Sequence, residues 1–439
     1  MVDDATSRTI EAVLDLPGFR VLAAGEYGGE LEVLVETTAT AVHCGRCGRR
    51  AGAHARWEHL LRDVPVSGRS AVLVWVKRVW RCRNPGCPTV TWTESSPLAA
   101  SRAVLTQRAK AWVARRVGAN GETVAAVARM LGLGWCTVMR AVVEVGKPLI
   151  GHASRLDGVG GLGVDEHAWQ RASRTRPTRW ATGIVDITPG RPARLLDVVP
   201  GRSGAAYAGW LSQRDRSWRE QIRVAACGPF RGYLAALRGQ LPAATHVLDA
   251  FHVTRLGMQA LDEVRRRVQQ QTLHRRGHTG DPLYEARRVL RRRADRLSPK
   301  ALAKVQAALA TGDPDGEVAI AWWAAQQICL GYAITDPAAG KTHAADLIPK
   351  LVSCPVPEVA RLGRTLTTWQ REYLAYFDTD RTTNGPTEAV NLLIEKIRRV
   401  GHGYRNWHNY RLRLLLHCGT EWPTLLTPRI RRHRPRLVA

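Results

Sequence analysis

The sequence predicts a mixed α/β protein whose main domain is a β-sheet flanked by helices. Between residues 162 and 253, apolar and polar residues alternate in the order three strands, helix, strand, helix, strand. Two close cysteine pairs lie in a β-rich region before residue 100, and helical patterns fill residues 101–150 and 254–375. With 439 residues the chain is long enough for about three domains of roughly 100–200 residues each.

The composition favours nucleic acid as the partner. The 65 Lys and Arg residues against 38 Asp and Glu give a formal net charge of +27, and so strong a positive field favours nucleic acid over an anionic membrane. No apolar run reaches the roughly 18 residues that a membrane span needs. The N-terminus, MVDDATSRTIEAVLDL, is acidic and helical and differs from a signal peptide. We therefore expect a cytoplasmic protein without a membrane partner. No motif of the common RNA-binding modules stands out.

Residues 1–100 are the first predicted domain, a β-rich zinc ribbon that begins with a short helix and a hairpin. Two turns carry its four candidate ligands, which are Cys44, Cys47, Cys82 and Cys87. Turns let paired thiolates face one ion, and tetrahedral sulfur suits Zn²⁺ as a structural cofactor. The alternatives are four incidental cysteines, or replacement of a thiolate by His43 or His54.

Residues 101–150 are the second predicted domain, a helix-turn-helix. Apolar residues recur at helical spacing up to Leu131, residues 132–134 (GLG) form a turn, and a second helix begins at Trp135. Thr137 and Arg140 lie on that second helix and are predicted to contact DNA. Any helix pair joined by a glycine turn has a similar pattern. The neighbouring cysteine pairs and the positive charge favour DNA binding here.

The sheet domain begins in residues 160–253. Its first predicted strand is the short apolar run that opens LGVDEHAW at residue 162 and ends on Asp165. The other predicted strands cover 179–187, 193–199, 222–227 and 245–253, and the predicted helices cover 203–213 and 230–241. Asp165 and Asp249 are predicted to lie at strand ends, and ligands of open α/β sheets bind outside the carboxyl ends of strands. Asp186 and Asp197 are predicted to be surface or turn residues.

Residues 254–375 are predicted to form an all-helical insertion. Two arginine clusters, Arg265–Arg267 and Arg291–Arg293, form either a solvated helix face or a phosphate-contacting face. Trp322 and Trp323 are predicted to pack in the helical core, with stacking on nucleic-acid bases as the alternative.

Residues 376–420 are predicted to complete the sheet domain, and a basic tail at 421–439 follows. The run TTNGPT, which contains Asn384, is a turn and helix cap, and Glu388 lies in the first turn of the next helix. Four cations follow Glu388 and are predicted to contact phosphates, with a solvated face as the alternative: Lys396, Arg398, Arg399 and Arg405.

Carboxylates from strand ends and from a later helix indicate a metal site for phosphoryl transfer. Mg²⁺ or Mn²⁺ prefers oxygen ligands and keeps open positions for water and phosphate, and two such ions can activate a nucleophile and stabilise the leaving oxygen. Asp165 and Glu388 are the candidate ligands. The order of strands and helices matches the ribonuclease H-like fold, which we predict for this domain.

The chain resembles the ISL3 family of bacterial insertion-sequence transposases over about residues 40–420. The likeness rests on the paired cysteines and on the runs LGVDE at 162–166, LDAFHV at 248–253, RRRVQQ at 265–270, TNGPTEAVN at 383–391 and RRVGHGYRN at 398–406. It implies a DDE transposase, catalytic at Asp165 and Glu388, that cuts at terminal inverted repeats and joins 3′ ends to target DNA. It also implies recognition of the element's ends by the zinc ribbon and helix-turn-helix, a homodimer or higher assembly, and association with the nucleoid.

One position departs from the family pattern. Where the family has its second Asp, at the end of strand four, this chain has Cys227, with Tyr233 in register behind it. A thiol is a soft ligand that suits Mg²⁺ poorly. Three explanations stay open: Asp249 supplies the missing oxygen, the enzyme is impaired, or the chain acts as a sequence-specific DNA-binding protein without cutting. His252, in the Asp-x-x-His motif with Asp249, either orients the turn by a hydrogen bond or binds metal.

Overall fold

The computed structural model describes residues 10, 11, 14–39 and 41–422. Within it the chain divides into two compact units, one of Met1–Arg155 with Arg399–Ala439, the other of Leu156–Arg398. Most of the predicted N-terminal helix and of the basic tail at 421–439 lies outside the described residues.

The first unit contains a five-stranded sheet. Its strands are β1 (Phe19–Tyr27), β2 (Glu30–Thr37), β3 (Gly52–Val66), β4 (Arg69–Arg81) and β5 (Thr91–Thr93). Their order is β1-β2-β4-β3 with β5 paired to β4, and only β2 and β4 run parallel. Alternate residues of β2 and β4, among them Val33, Val35, Leu73 and Trp75, are buried in one cluster. The alternating pattern of the sequence therefore gives this sheet one core-facing side.

Four helices form the second part of this unit. They are α1 (Gln107–Gly118), α2 (Val124–Met130), α3 (Trp135–Gly151) and α15 (Trp407–Cys418). Thr123 caps α2 by accepting from the amide of Ala126, and Gly132 turns the chain at a φ of 59°. Leu412 and Leu416 of α15 are buried in the same cluster as the apolar faces of α1–α3. The helix-turn-helix thus has a fourth helix from far along the chain, which the sequence pattern did not indicate.

The second unit is built on another five-stranded sheet. Its strands are β6 (Gly161–Gln170), β7 (Arg179–Asp186), β8 (Arg194–Pro200), β9 (Val224–Cys227) and β10 (Thr245–Leu248). The order is β10-β9-β6-β7-β8, in which β6, β7 and β8 are antiparallel and β6, β9 and β10 are parallel. Between β8 and β10 lie α4 (Gly204–Ser212), α5 (Arg216–Glu220) and α6 (Arg231–Gln240). The chain follows the predicted order with the short α5 added.

The ends of two strands, β6 and β10, differ most from the prediction. β6 continues to Gln170, so Asp165 lies within this strand rather than at its end. β10 ends at Leu248, and the run predicted as a strand to residue 253 begins helix α7 (Ala250–Leu273). The side chain of Asp249 accepts from the amide of His252, and this N-cap turns the chain from strand to helix. Asp186, predicted near the surface, is buried and accepts from Thr188 and Arg194.

Helices fill the chain after β10. After α7 come α8 (Pro282–Leu290), α9 (Pro299–Gly312), α10 (Glu317–Ala333), α11 (Pro337–Val352), α12 (Pro357–Thr368), α13 (Gln370–Asp378) and α14 (Gly385–Val400). Arg265 pairs with Asp262 within α7, whereas Arg267 pairs with Glu317 of α10 and Glu358 of α12 and so links three helices. Trp323, predicted to be core, is 45% exposed.

In the described part of the chain, no single helix is long and apolar enough to cross a membrane. One bent pair of helices, α2 and α3 at 110°, reaches the length and apolar composition of a membrane span when the two helices are taken together.

Candidate active site and zinc site

Asp165 lies in β6 just beyond the end of the neighbouring parallel strand, β9. The last residue of β9, Cys227, pairs with Val164, so Asp165 is the first residue of β6 beyond that end. Its Oδ1 accepts from the amide of Glu166 at 2.9 Å and its Oδ2 from Nδ2 of Asn391 at 2.8 Å. Burial raises the pKa of Asp165 to about 6, against the lowering effect of the Glu166 amide. A cation beside this carboxyl would favour its charged form.

Helix α14 brings Glu388 and Asn391 to this edge of the sheet. The two residues are three apart and so share one helix face. The helix approaches β6 at Gly163, where an added Cβ would lie 1.9 Å from Oγ1 of Thr387. Only glycine fits there, so Gly163 sets how near the Glu388 helix comes to Asp165. Neither Gly163 nor Asn391 stands out as a site residue in the sequence.

Asp249 and Asn384 link the strand edge to the turn before α14. The amide of Asn384 donates to Oδ1 of Asp249 at 2.8 Å, and its Nδ2 donates to the carbonyl of Val164 at 3.1 Å. Oδ2 of Asp249 accepts from the amide of His252 at 3.1 Å and lies 2.8 Å from its Nδ1. Both oxygens of this fully buried carboxylate are therefore engaged. This arrangement favours a positioning role for Asp249 over that of a replacement ligand.

His252 lies inside the acidic cluster. Burial lowers its pKa, but the hydrogen bond and charge of Asp249, with the charges of Asp165 and Glu388, raise it overall. Ligand atoms of Asp249, His252 and Glu388 all lie within 4.8 Å of one another. Three of the predicted site residues thus come together, with Asp165 close enough to influence their charge.

Replacing Asp249 by Ala is expected to lower the free energy of unfolding by about 2–4 kcal/mol, because a helix cap is lost and the buried Asn384 amide loses its acceptor. The matched control is Asp336→Ala, which removes an exposed N-cap of α11 and should cost about 1 kcal/mol. Chemical denaturation compares the two variants. Equal losses would show that Asp249 is no more than an ordinary cap.

Cys227 does not face this cluster. Residues paired in a parallel ladder point to the same side of a sheet, so Cys227 shares the side of Val164, opposite to Asp165. Its thiol is buried and contributes to the raised pKa of Tyr207, while burial raises its own pKa to about 12. This register favours the next residue, Gly228, over Cys227 as the position of the missing acid.

The position that does face the cluster is Gly228. A Cβ added there would lie 3.2 Å from Nε2 of His252, and Gly228 lines the same cavity as Asp165. Successive side chains of a strand point to opposite sides of the sheet, so Gly228 and Cys227 face opposite sides. Gly228 therefore offers no side-chain ligand atom on the side of the sheet that Asp165 faces.

The cavity beside the cluster has a volume of about 340 Å³, and two arginines line it that were not predicted from the sequence. Arg255 follows His252 by three residues on α7, a spacing that a search for helix-face partners would have found. Arg202 stacks on the ring of Trp180 at 4.6 Å and lies 3.8 Å from Glu166. Both guanidinium groups are placed to attract a phosphate.

The predicted DNA contacts divide between the two units. Thr137 is half-buried and Arg140 exposed on α3, and Arg405 is exposed in the same unit as α3. In the other unit Lys396 is exposed, whereas Arg398 is bound by both Glu395 oxygens at 2.6 Å. Arg399 is exposed near the end of α14.

Four cysteines of the first unit form the second cluster. The sulfurs of Cys44 and Cys87 are 3.9 Å apart, those of Cys47 and Cys82 are 3.5 Å apart, and all four lie within 4.8 Å of one another. A tetrahedron with zinc–sulfur bonds of about 2.3 Å has edges of about 3.8 Å. A hydrogen bond from the backbone of Arg49 lowers the pKa of Cys47 to about 7. The cluster therefore fits a structural zinc ion, and His43 and His54 are not part of it.

We expect elemental analysis of the purified protein to find one zinc per chain. Cys44→Ser should release it and lower the melting temperature, because a structural zinc site stabilises the fold that forms it. Cys136→Ser, which changes an exposed cysteine outside the cluster, serves as the control and should leave both values unchanged. Full stability of Cys44→Ser without zinc would rule the site out.

Comparison with known families gives three matches along the chain. A family described as "Transposase" matches residues 162–414, which is more than half of the chain. A helix-turn-helix domain of transposase family ISL3 matches residues 94–146, and a zinc-finger of transposase IS204/IS1001/IS1096/IS1165 matches residues 40–87. No curated protein matches the chain.

Proposed function

Since the chain belongs to the ISL3 family of transposases, we propose that it binds the terminal inverted repeats of its element, cleaves them and transfers the 3′ ends to target DNA. The observation that supports this proposal most strongly is the cluster of Asp165, His252 and Glu388 at the sheet edge. There, β6 and the start of α7 place Asp165 and His252 at one cavity that also contains two arginines. Helix α14 brings a ligand atom of Glu388 within 4.8 Å of one of His252.

The second unit supports a ribonuclease H-like fold for the catalytic core. Three antiparallel strands are followed by two parallel ones on the side of β6, and the candidate acids come from β6 and from a late helix. We propose that the helices between β10 and α14 form the inserted domain, as predicted for residues 254–375.

The residues at this edge fit a hard divalent cation, Mg²⁺ or Mn²⁺. Asp165 and Glu388 would hold it through carboxylate oxygens, the donors that such ions prefer. When bound, the ion would supply charge stabilisation to a phosphodiester undergoing displacement. Asn391 holds the Asp165 carboxylate in place, and Asp249 orients the His252 ring. Arg202 and Arg255 would bind the phosphate.

The first unit supports recognition of the element's ends. The zinc ribbon and the helix-turn-helix supply a folded scaffold on which α3 exposes Arg140. We propose that a homodimer or higher assembly bridges two ends, as the family implies.

A second candidate function is sequence-specific DNA binding with impaired cutting. The observation that favours it is Gly228, because the position that faces His252 beside Asp165 carries no ligand atom. Cleavage by the present chain would then be slow or lost, while the recognition modules stay intact.

The test uses DNA that the protein itself selects. Full-length protein is incubated with a random duplex pool, the bound duplexes are amplified, and the enriched duplex is placed in a supercoiled plasmid. Nicking that requires Mg²⁺ or Mn²⁺ supports the transposase, and selection without nicking supports the DNA-binding alternative. Failure to enrich any duplex would overturn both.

A further inference from the structure

A second basic cavity lies within the first unit. Its volume is about 640 Å³, and it is formed where α2, α3 and α15 meet the Val400–Asn406 turn. The residues that matter for its chemistry are Arg129, Trp135, His402, Tyr404, Arg405 and Arg413. Three arginines and a histidine line it, and none of the described residues that line it is acidic.

The buried guanidinium of Arg413 indicates that this cavity binds a ligand. It is only 3% exposed, and one of its terminal nitrogens donates to the carbonyls of Gly121 and Glu122 at 3.5 and 2.9 Å. Among the described residues, its Nε has no hydrogen-bond partner and no carboxylate lies within ion-pair distance of the guanidinium. A buried cation without a counter-charge is costly, so this cavity favours an anion.

The turn that closes the cavity has a defined shape. An added Cβ at Gly401 would lie 2.9 Å from the Tyr404 ring, so only glycine lets that ring pack there. His402 and Gly403 have φ values of 51° and 87°, and Asn406 caps α15 by accepting from the amide of Asn409. These contacts explain the run GHGYRN as a preformed turn, which presents Arg405 without an ordering cost on binding.

The cavity opens beside the predicted recognition helix. Trp135 is the first residue of α3 and is 48% exposed, and Arg129 is exposed near the end of α2. In helix-turn-helix proteins the N-terminal part of the second helix contacts base edges while the first helix crosses the backbone. A phosphate of bound DNA would therefore lie near Arg129.

We propose that this cavity binds one backbone phosphate of the recognised DNA, through Arg129, Arg405 and the buried Arg413. The inference rests on the proposed function, since it takes the chain to be a DNA-binding transposase. It places the GHGYRN turn and α15 in the end-recognition surface with α3, and it separates Arg405 from the cleavage chemistry.

The experiment measures binding of the full-length protein to the duplex that the wild type selects from a random pool. Arg129→Ala and Arg405→Ala each change an exposed side chain. Each should weaken binding by about tenfold, the value of one charge-assisted hydrogen bond, and lower the salt dependence by about one ion. Arg56→Ala, which removes an arginine 65% exposed in the same unit but outside the cavity, should bind as the wild type does.

A second arm locates the phosphate. Single phosphates of the duplex are replaced by neutral methylphosphonates, and the sensitive position should weaken wild-type binding but leave Arg405→Ala unaffected. Loss in both arginine variants with this coupling supports the proposal. Binding equal to that of the wild type overturns it and leaves the proposed function standing, whereas failure of the wild type to select any duplex overturns both.

Discussion

Asp165→Asn and Glu388→Gln are each expected to reduce metal-dependent DNA nicking by about 10³-fold or more, equivalent to about 4 kcal/mol of transition-state stabilisation. Each change removes a negative oxygen ligand while keeping the shape of the side chain. Asn391 would still reach the amide oxygen of Asn at position 165, so the fold should persist. The readout is conversion of a supercoiled plasmid that carries the selected duplex to its open-circular form.

Two controls separate chemistry from folding and binding. Asp378→Asn removes an exposed carboxylate that pairs with Lys341 in the same unit, and nicking should not change. Both site variants should bind the selected duplex with wild-type affinity, because their positions lie outside the recognition modules. Nicking by Asp165→Asn at the wild-type rate would show that the chemistry takes place elsewhere.

Gly228→Asp is expected to increase the nicking rate by about 100-fold, or about 3 kcal/mol, because it adds a third carboxylate at the metal site. The new side chain would point at the His252 ring, 3.2 Å from the added Cβ. Gly228→Asn, which matches it in size without the charge, should leave the rate unchanged.

Cys227→Asp gives the contrasting result. It would bury a carboxylate on the other side of the sheet, near Tyr207. We expect this variant to lose several kcal/mol of stability without gaining activity. Activation by Cys227→Asp, and not by Gly228→Asp, would reverse the assignment of the two positions.

Much of the fold could be predicted from local pattern. The zinc ligands, the helix-turn-helix and the order of strands and helices around Asp165 follow from spacing and periodicity, which are properties of short segments. The family motif around Glu388 supplied the helix that brings the second acid. The extent of β6 beyond Asp165 was missed, since the apolar run stops where the strand loses its parallel neighbour.

What the sequence did not indicate depends on register and on contacts between distant segments. Whether Cys227 or Gly228 faces Asp165 depends on the pairing of β9 with β6, and an error of one residue reverses the answer. Gly163 matters because Thr387 lies against it, more than 200 positions later. Arg413 stands in an otherwise apolar run of α15, and only the packing of that helix shows that its charge is buried.

The most direct measurement is a set of single-turnover nicking rates in Mn²⁺ for the wild type, Gly228→Asp and the double variant Gly228→Asp/Asp165→Asn. We expect slow nicking by the wild type, a rate about 100-fold higher for Gly228→Asp, and background for the double variant. Equal rates for the wild type and Gly228→Asp, or full activity in the double variant, would contradict a metal site built on Asp165 and Glu388 that lacks its acid at Gly228.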